Sequence, residues 1–469
     1  MASICSWCIA GGIWFLYPFF NVRGIQAHNC SQIGAISDQY GRKDVLIFGN
    51  VIAIVGGVVC VTAKSIWVAV IGSTIIGLGS GCQSQSCAIL SEMFKKKHRG
   101  ILISTLGLLF ITPLPFLVTG SLVGHAMAKN ATWRWVYYLY IILTAVSGIM
   151  IFLFYYPPHE RQLCSSWNVR SKLQALKDFD WIGALFTILF IVLISTSIVW
   201  VISEKYKWSS AAIIVPLVAA VVIMACLAAW ETFGSKNPIF PHTMFINTRG
   251  FLFVLLAVTL ATSGIASIDD VWPTEVSALY TTNQTRASVY ILPSGFGTMA
   301  GALFAGLSMR IIRHTQLQFS ATAFLGAIFV ALMATLTPNN FRPGLAYIFV
   351  ADFFGGAFKV ISIVMIQLAF GDELIGTATG ILNLARNIGP GLSNSFYVTI
   401  IRSRVSATLA KRVSRAVLPL GLPITSLRAL LLAIASKDQA ALSQIPGITP
   451  VIIKMAVLET ELTYAAAFR

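Results

Sequence analysis

Apolar residues gather into long blocks separated by short polar breaks, and each block has about the length, 18 to 25 residues, that carries a helix across roughly 30 Å of hydrocarbon. Eleven such blocks are predicted to span a membrane: 45–63, 66–91, 101–127, 135–156, 181–203, 210–230, 250–270, 289–309, 318–337, 344–368 and 376–400. Lipid offers no water to satisfy backbone polar groups, so each block must close its own hydrogen bonds as a helix. A weaker stretch at 7–21 is too short to cross comfortably, and Asn29, Cys30, Ser31 and Gln32 are too polar to extend it, so a partial helix is expected there. The pattern predicts an all-α membrane protein of about 11–12 transmembrane helices.

Composition agrees, with 57% hydrophobic and 11% charged residues in 469. Soluble domains carry about a quarter charged residues, and this chain has too little polar surface to cover a globule of its size. The net charge of +16 does not point to nucleic acid, because the basic residues are scattered over the breaks instead of forming one stripe with interleaved aromatics. Lipid, not nucleic acid, is the expected surrounding.

Counting Lys and Arg at alternate breaks gives an orientation. One set, from Arg42 and Lys43 through Lys95, Lys96, Lys97 and Arg99 to Arg313, holds fourteen; the other, through Arg342, holds seven. By the positive-inside rule the richer set faces the cytoplasm. The sequons Asn130-Ala131-Thr132 and Asn283-Gln284-Thr285 fall in the poorer set, where glycosylation is open to a protein of the secretory pathway. A plasma membrane location is expected, and a vacuolar membrane would give the same hydropathy.

The breaks also divide the chain. Residues 1–33 form an atypical N-terminal segment, 34–157 an N-terminal helical bundle, and 158–180 a cytoplasmic linker opened by Pro157-Pro158 and rich in charge. Two further helices fill 181–249, a C-terminal bundle fills 250–400, and 401–469 is an amphipathic tail. Helix parity places that tail outside. Its basic residues from Arg402 to Arg428 favour inside, but long tails are largely exempt from the charge rule.

Among local motifs the sharpest is Gly34-Ala35-Ile36-Ser37-Asp38-Gln39-Tyr40-Gly41-Arg42-Lys43-Asp44. Gly34 and Gly41 allow a tight turn and close approach of a neighbouring helix. Asp38 offers a carboxylate to a facing helix N-terminus or Arg, and Arg42 and Lys43 anchor the cytoplasmic face. A charge cluster of this kind can lock one arrangement of two bundles and break in the other, giving a two-state gate.

This segment resembles the major facilitator loop signature G-x-x-x-D-x-x-G-R-[KR]. Gly77 to Gln83 with Glu92 and the basic run to Arg99 is similar to the superfamily's fourth helix and following loop, and Trp133 to Tyr138 through Pro158 to its sixth. Trp208-Ser209-Ser210, Trp230-Glu231, Pro238 to Pro241, Phe245 and Val271-Trp272-Pro273 are similar to the fungal fourteen-helix drug:proton antiporters. Gly380-Ile381-Leu382, Ala385 to Gly389 and the tail from Gly421 to Arg469 resemble the trichothecene efflux pump-like branch.

The resemblance implies a major facilitator fold of two pseudo-symmetric bundles and efflux of a hydrophobic small molecule, a toxin, drug or secondary metabolite, by proton antiport. It also implies one more helix before the signature and another after the tail, so the chain is expected to be truncated at both ends. Two departures bear on coupling. The membrane Arg usual in the fourth helix is missing, with Ser73 and Thr74 nearby. Of the fifth-helix antiporter signature Pro115 and Gly120 survive, without the glycine expected before the proline.

Ionisable groups inside spans cost several kcal/mol at the bilayer centre unless they face a wet cavity or a partner. Asp352 and Lys359 lie two helical turns, roughly 10 Å, apart on one face, sharing a surface without pairing directly. Arg386 sits mid-span and can bind an anionic group or neutralise Asp352. Gln83, Gln85 and Gln367 are further polar groups for a substrate or proton pathway. The pairs Gly77/Gly81 and Gly297/Gly301 have small-xxx-small spacing for helix packing.

Candidate chemistry elsewhere is thin. Cys5-Ser6-Trp7-Cys8 has no second ligand pair, and cysteines inside spans act as small apolar fillers. There is no Ser/His/Asp set, H-x-x-x-H spacing or P-loop, so neither an enzyme nor an ATP-driven exporter is expected, and no cofactor or metal. Partners are a small-molecule substrate, protons and the bilayer, with the chain acting as a monomer. Siderophore-iron transport and a transport-inactive remnant or sensor are the rival functions.

Overall fold

The computed structural model describes residues 42–83, 114–155, 180–202, 209–235, 248–281, 283–312, 314–338, 340–369, 375–423, 426–427, 429–431, 433 and 445–468. The first helices are α1 (Arg42–Thr62), α2 (Ile66–Gln83), α3 (Leu114–Asn130) and α4 (Arg134–Phe154), followed by α5 (Trp181–Ile202) and α6 (Ala211–Ala229). Then come α7 (Phe253–Leu279), α8 (Gln284–Ile311), α9 (Thr315–Met333), α10 (Phe341–Ala369), α11 (Ile375–Val417) and α12 (Pro450–Phe468). Eight helices among the described residues are long and apolar enough to cross a bilayer. Their outer faces carry large apolar side chains such as Phe48, Phe152, Leu260, Leu307 and Phe324, all exposed as a lipid-facing surface requires.

Lipid tails are as apolar as the side chains, so burial alone gives little drive for helices to associate, and small residues that allow close backbone approach matter more. In the first group α1 packs on α2 and α4. Gly49 and Gly56 on α1 meet Gly72 and Gly79 on α2, each pair spaced by seven residues or two turns. A Cβ at Gly56 would lie 2.7 Å from Ile76 N, and one at Gly79 2.7 Å from the Ala53 Cβ.

The second group packs α7, α8, α9 and α11 around α10. α10 is the most enclosed element, burying Ile348, Ala351, Asp352, Phe358, Ile361 and Ile366. Gly297 and Gly301 of α8 abut the carbonyls of Phe349 and Phe353 on α10, and Gly356 returns the contact against the Thr298 carbonyl. A continuous core runs through Phe251, Val258, Phe319, Phe358, Ile361 and Leu382. Toward one end Trp272 donates to the Tyr290 carbonyl at 3.1 Å, and Tyr280 and Tyr290 close on Phe341 with ring centroids 5.1 and 4.1 Å away. α3 packs against α8 and joins the two groups.

Between them α5 and α6 form a hairpin. Asp180 builds its base: Oδ1 accepts from Gly183 N at 2.8 Å, capping α5, and from Trp230 Nε1 at 2.9 Å beyond the end of α6.

The helix predicted over 376–400 runs on to Val417. Hydropathy falls at 400, but Val405, Leu409, Val413 and Val417 continue at four-residue spacing, which keeps one apolar stripe on the helix. At 43 residues α11 is about 65 Å long, twice the hydrocarbon thickness. It ends through Pro419 and Gly421, whose φ of 94° is a left-handed conformation suited to glycine. Val413, Val417, Leu422, Leu430, Ile445, Ile452 and Ala456 form a separate small core between this extension and α12.

Candidate functional site

Two reciprocal basic clamps fix the first group. Lys43, at the start of α1, donates from Nζ to the Phe152 carbonyl at 2.9 Å and lies 5.5 Å from the Phe152 ring centroid, at the end of α4. Arg134, at the start of α4, donates from Nε to the Val61 carbonyl at 2.9 Å and from Nη2 to the Ala63 carbonyl at 3.0 Å, at the end of α1. The Trp133 ring lies 4.7 Å from its guanidinium. Each cation sits at its own helix's N-terminus, where the dipole opposes it, and satisfies orphan carbonyls at its neighbour's C-terminus. Lys43 was legible in the loop signature; Arg134 was not singled out as a site, because only its neighbour's helix end reveals the role.

Gln83 donates from Nε2 to Asn50 Oδ1 at 2.8 Å, tying α2 to α1. Asn50 is 2% exposed, and its Nδ2 has no hydrogen-bond partner. Ser73, near the place of the missing membrane Arg, lies 3.9 Å from Cys60 Sγ, and Thr74 donates to its own helix at Val70 O. Gly34, Asp38, Gly41 and Gln85 lie outside the described residues, as do the 7–21 stretch, the Cys5/Cys8 pair and most of the 158–180 linker. Arg42 is the first residue of α1.

Charge inside the second group is arranged in two layers along α10. Asp352 belongs to the first: it is 1% exposed, Oδ2 has no hydrogen-bond partner, and its electrostatic neighbours are Asp269 of α7, Ser294 of α8 and Lys359. Ser294 Oγ donates to Asp269 Oδ1 at 2.9 Å. Asp269 lies ten residues before the end of α7, Ser294 ten after the start of α8 and Asp352 eleven after the start of α10, so all stand about 15 Å from the same end of the group.

The second layer lies about 10 Å further along α10. Arg386 of α11 donates from Nη2 to the Lys359 carbonyl and to Ser362 Oγ. Beyond it Gln367, 1% exposed, donates to Thr379 Oγ1 at 3.3 Å while its Oε1 has no partner. Arg386 therefore braces the backbone beneath Lys359. Sequence reasoning missed Asp269 because it ended the span at 270, which put the acid at the rim; α7 runs to Leu279 and holds it well inside.

Both sequon asparagines are exposed. Asn130 closes α3, and Asn283 Oδ1 caps α8 by accepting from Thr285 N at 3.0 Å. No group of three or more His, Cys, Asp or Glu among the described residues is placed to hold a metal.

The profile of the fungal trichothecene efflux pump family (TRI12) matches residues 19–468. The chain belongs to that family. It is 25% identical over 450 residues to the trichothecene efflux pump TRI12 of Fusarium sporotrichioides, covering 94% of this chain and 74% of that protein. Against the trichothecene efflux pump TRI12 of Trichoderma arundinaceum it is 25% identical over 398 residues, 82% of this chain and 64% of that protein. Among solved structures the human organic anion transporter MFSD10 superposes with a TM-score of 0.57 over 83% of each chain at 14% identity, which establishes the fold. This TRI12-family chain is thus a multi-pass membrane protein with the major facilitator fold.

Proposed function

We propose that the chain exports a hydrophobic small molecule, of the toxin or secondary-metabolite kind, across the plasma membrane in exchange for protons. The reading rests above all on one observation: an enclosed carboxyl, Asp352, with an unpartnered oxygen, held at mid-depth in a bundle whose family is named for efflux. A charge so placed is costly in lipid and has a natural use as a proton-binding group. Two bundles rocking about such a midplane site give alternating access. Asp38, Arg42 and Lys43 gate one face, and Gln83, Gln85, Gln367, Lys359 and Arg386 line the route with groups that pair with polar parts of the solute.

Yeast cells expressing the chain test this with a labelled trichothecene. Expression lowers retained label several-fold, a protonophore restores it, Asp38→Asn slows export at unchanged membrane abundance, and Asp352→Asn removes the dependence on external pH. Equal retention with and without the chain, or export indifferent to the protonophore, overturns the reading.

A further inference from the structure

We infer that Asn383, Asn387 and Asn394 form one carboxamide face of α11 that holds the transported solute and selects a skeleton bearing free hydroxyl groups over the same skeleton without them. Which solute this is rests on the export reading above; that the face is wet does not.

An α-helix turns about 100° per residue, which gathers Asn383, Asn387, Pro390, Asn394 and Tyr397 within about 80° of arc on α11 and spreads the asparagines over about 16 Å of its length. The flanks of this face are taken. Toward α7, Gly389 abuts Ser263 Oγ and the Thr259 carbonyl, and Ser393 Oγ lies 2.6 Å from Ser267 Oγ. Toward α10, Arg386 donates to the Lys359 carbonyl and to Ser362 Oγ. Between those flanks the three asparagines stay half-buried and Tyr397 is 44% exposed, so the face is not packed shut. A carboxamide turned to hydrocarbon loses its water and gains no partner, whereas one turned to a water-filled route keeps it. Three of them at one-turn and two-turn spacing on a single face therefore place a route there.

The unmet atoms on this face are acceptors. Asn387 donates from Nδ2 to the Asn383 carbonyl at 2.8 Å, which holds its Oδ1 away from the helix backbone, and Asn394 Oδ1 is enclosed with no hydrogen-bond partner. An acceptor needs a donor, and in an uncharged organic solute the common donor is a hydroxyl. An ester or ether oxygen in the same place would set oxygen against oxygen. A site built to pair with hydroxyls rejects an analogue lacking them, because its own polar atoms are then left unpaired.

Labelling and flux test this. Asn383→Cys and Asn387→Cys chains in nanodiscs are treated with the charged, water-soluble methanethiosulfonate ethyltrimethylammonium, and each introduced cysteine is followed by peptide mass spectrometry. Phe324→Cys, on the lipid-facing side of α9, is the control. The asparagine positions should be modified at least about tenfold faster than position 324, because the reagent attacks thiolates and these form in water. A hydroxylated trichothecene should protect them, and its fully acetylated derivative should not. Equal rates at the three positions, or equal protection by both probes, overturn the inference. In yeast, Asn387→Ala and Asn394→Ala should each raise KM for the hydroxylated probe about three- to tenfold at little-changed maximal rate, with Asn387→Ser recovering part of the loss. Equal losses for both probes at unchanged membrane abundance would mark a merely structural role and sink the selection. Protection without any flux would sink the export reading alone, and flux without the labelling contrast would sink the asparagine face alone.

Discussion

Gly301→Ala is the smallest change that tests whether backbone contact holds α8 to α10. The added methyl points at the Phe353 carbonyl, inside its van der Waals envelope, with the Phe353 carbonyl carbon 2.6 Å away. Nothing at the contact is a flexible side-chain end, so the helices must separate or slide along their length. Separation also lifts Gly297 from the Phe349 carbonyl and Thr298 from Gly356, so loosening one contact loosens the other two. Overpacking of a well-fitted contact costs about 1–3 kcal/mol, and the linked losses place this variant toward the upper end. Gly326→Ala is the matched control: its methyl meets Ile265 Cδ1 and the Phe354 Cβ at 3.5 Å, ordinary contact, and should be neutral or gain a few tenths of a kcal/mol from the stiffer helix. Thermal unfolding in detergent should therefore separate two chemically identical substitutions. Equal midpoints for both variants would refute the reasoning.

Arg134→Ala removes two charge-assisted bonds to the end of α1 and should cost about 2–3 kcal/mol, with Arg134→Lys recovering part, as read from detergent unfolding midpoints. Asp180→Ala strips the α5 cap and leaves the Trp230 indole N–H unpaired, for a loss of about 2 kcal/mol, whereas Asp180→Asn keeps the accepting oxygen and should lose at most about half of that in the same assay.

Much of the fold was readable because lipid imposes one rule, that spans be long, apolar and helical. The rule marks where hydrocarbon ends and not where a helix ends. That is why α7 and α11 outrun the predicted spans, and why Asp269 looked like a rim residue. Packing was half legible. Gly297/Gly301 showed in the small-xxx-small spacing, but Gly49/Gly56 and Gly72/Gly79 touch at two-turn intervals, a repeat that becomes visible only once two helices are laid together. The candidate site divided the same way. Asp352, Lys359 and Arg386 announce themselves as charges in oily surroundings, whereas Asn50, Ser294 and Ser362 are uncharged, and their importance comes from which group faces them.

The unpartnered oxygen of Asp352 carries a last consequence, for stability. A buried acceptor without a donor costs about 1–3 kcal/mol, and a neighbouring carboxylate adds to that cost. Asp352→Asn replaces the like charge with an amide of nearly the same shape, whose N–H can be donated toward Asp269. A residue retained only for packing would tolerate this change or suffer from it. A group held in an unfavourable state for its chemistry should instead release that strain, so the purified variant should unfold at a higher temperature at neutral pH while losing pH-dependent export. An Asp352→Asn protein that unfolds earlier than wild type at pH 7.5 would show the carboxylate to be part of the scaffold, bonded in a way that its enclosure between α7, α8 and α10 does not suggest.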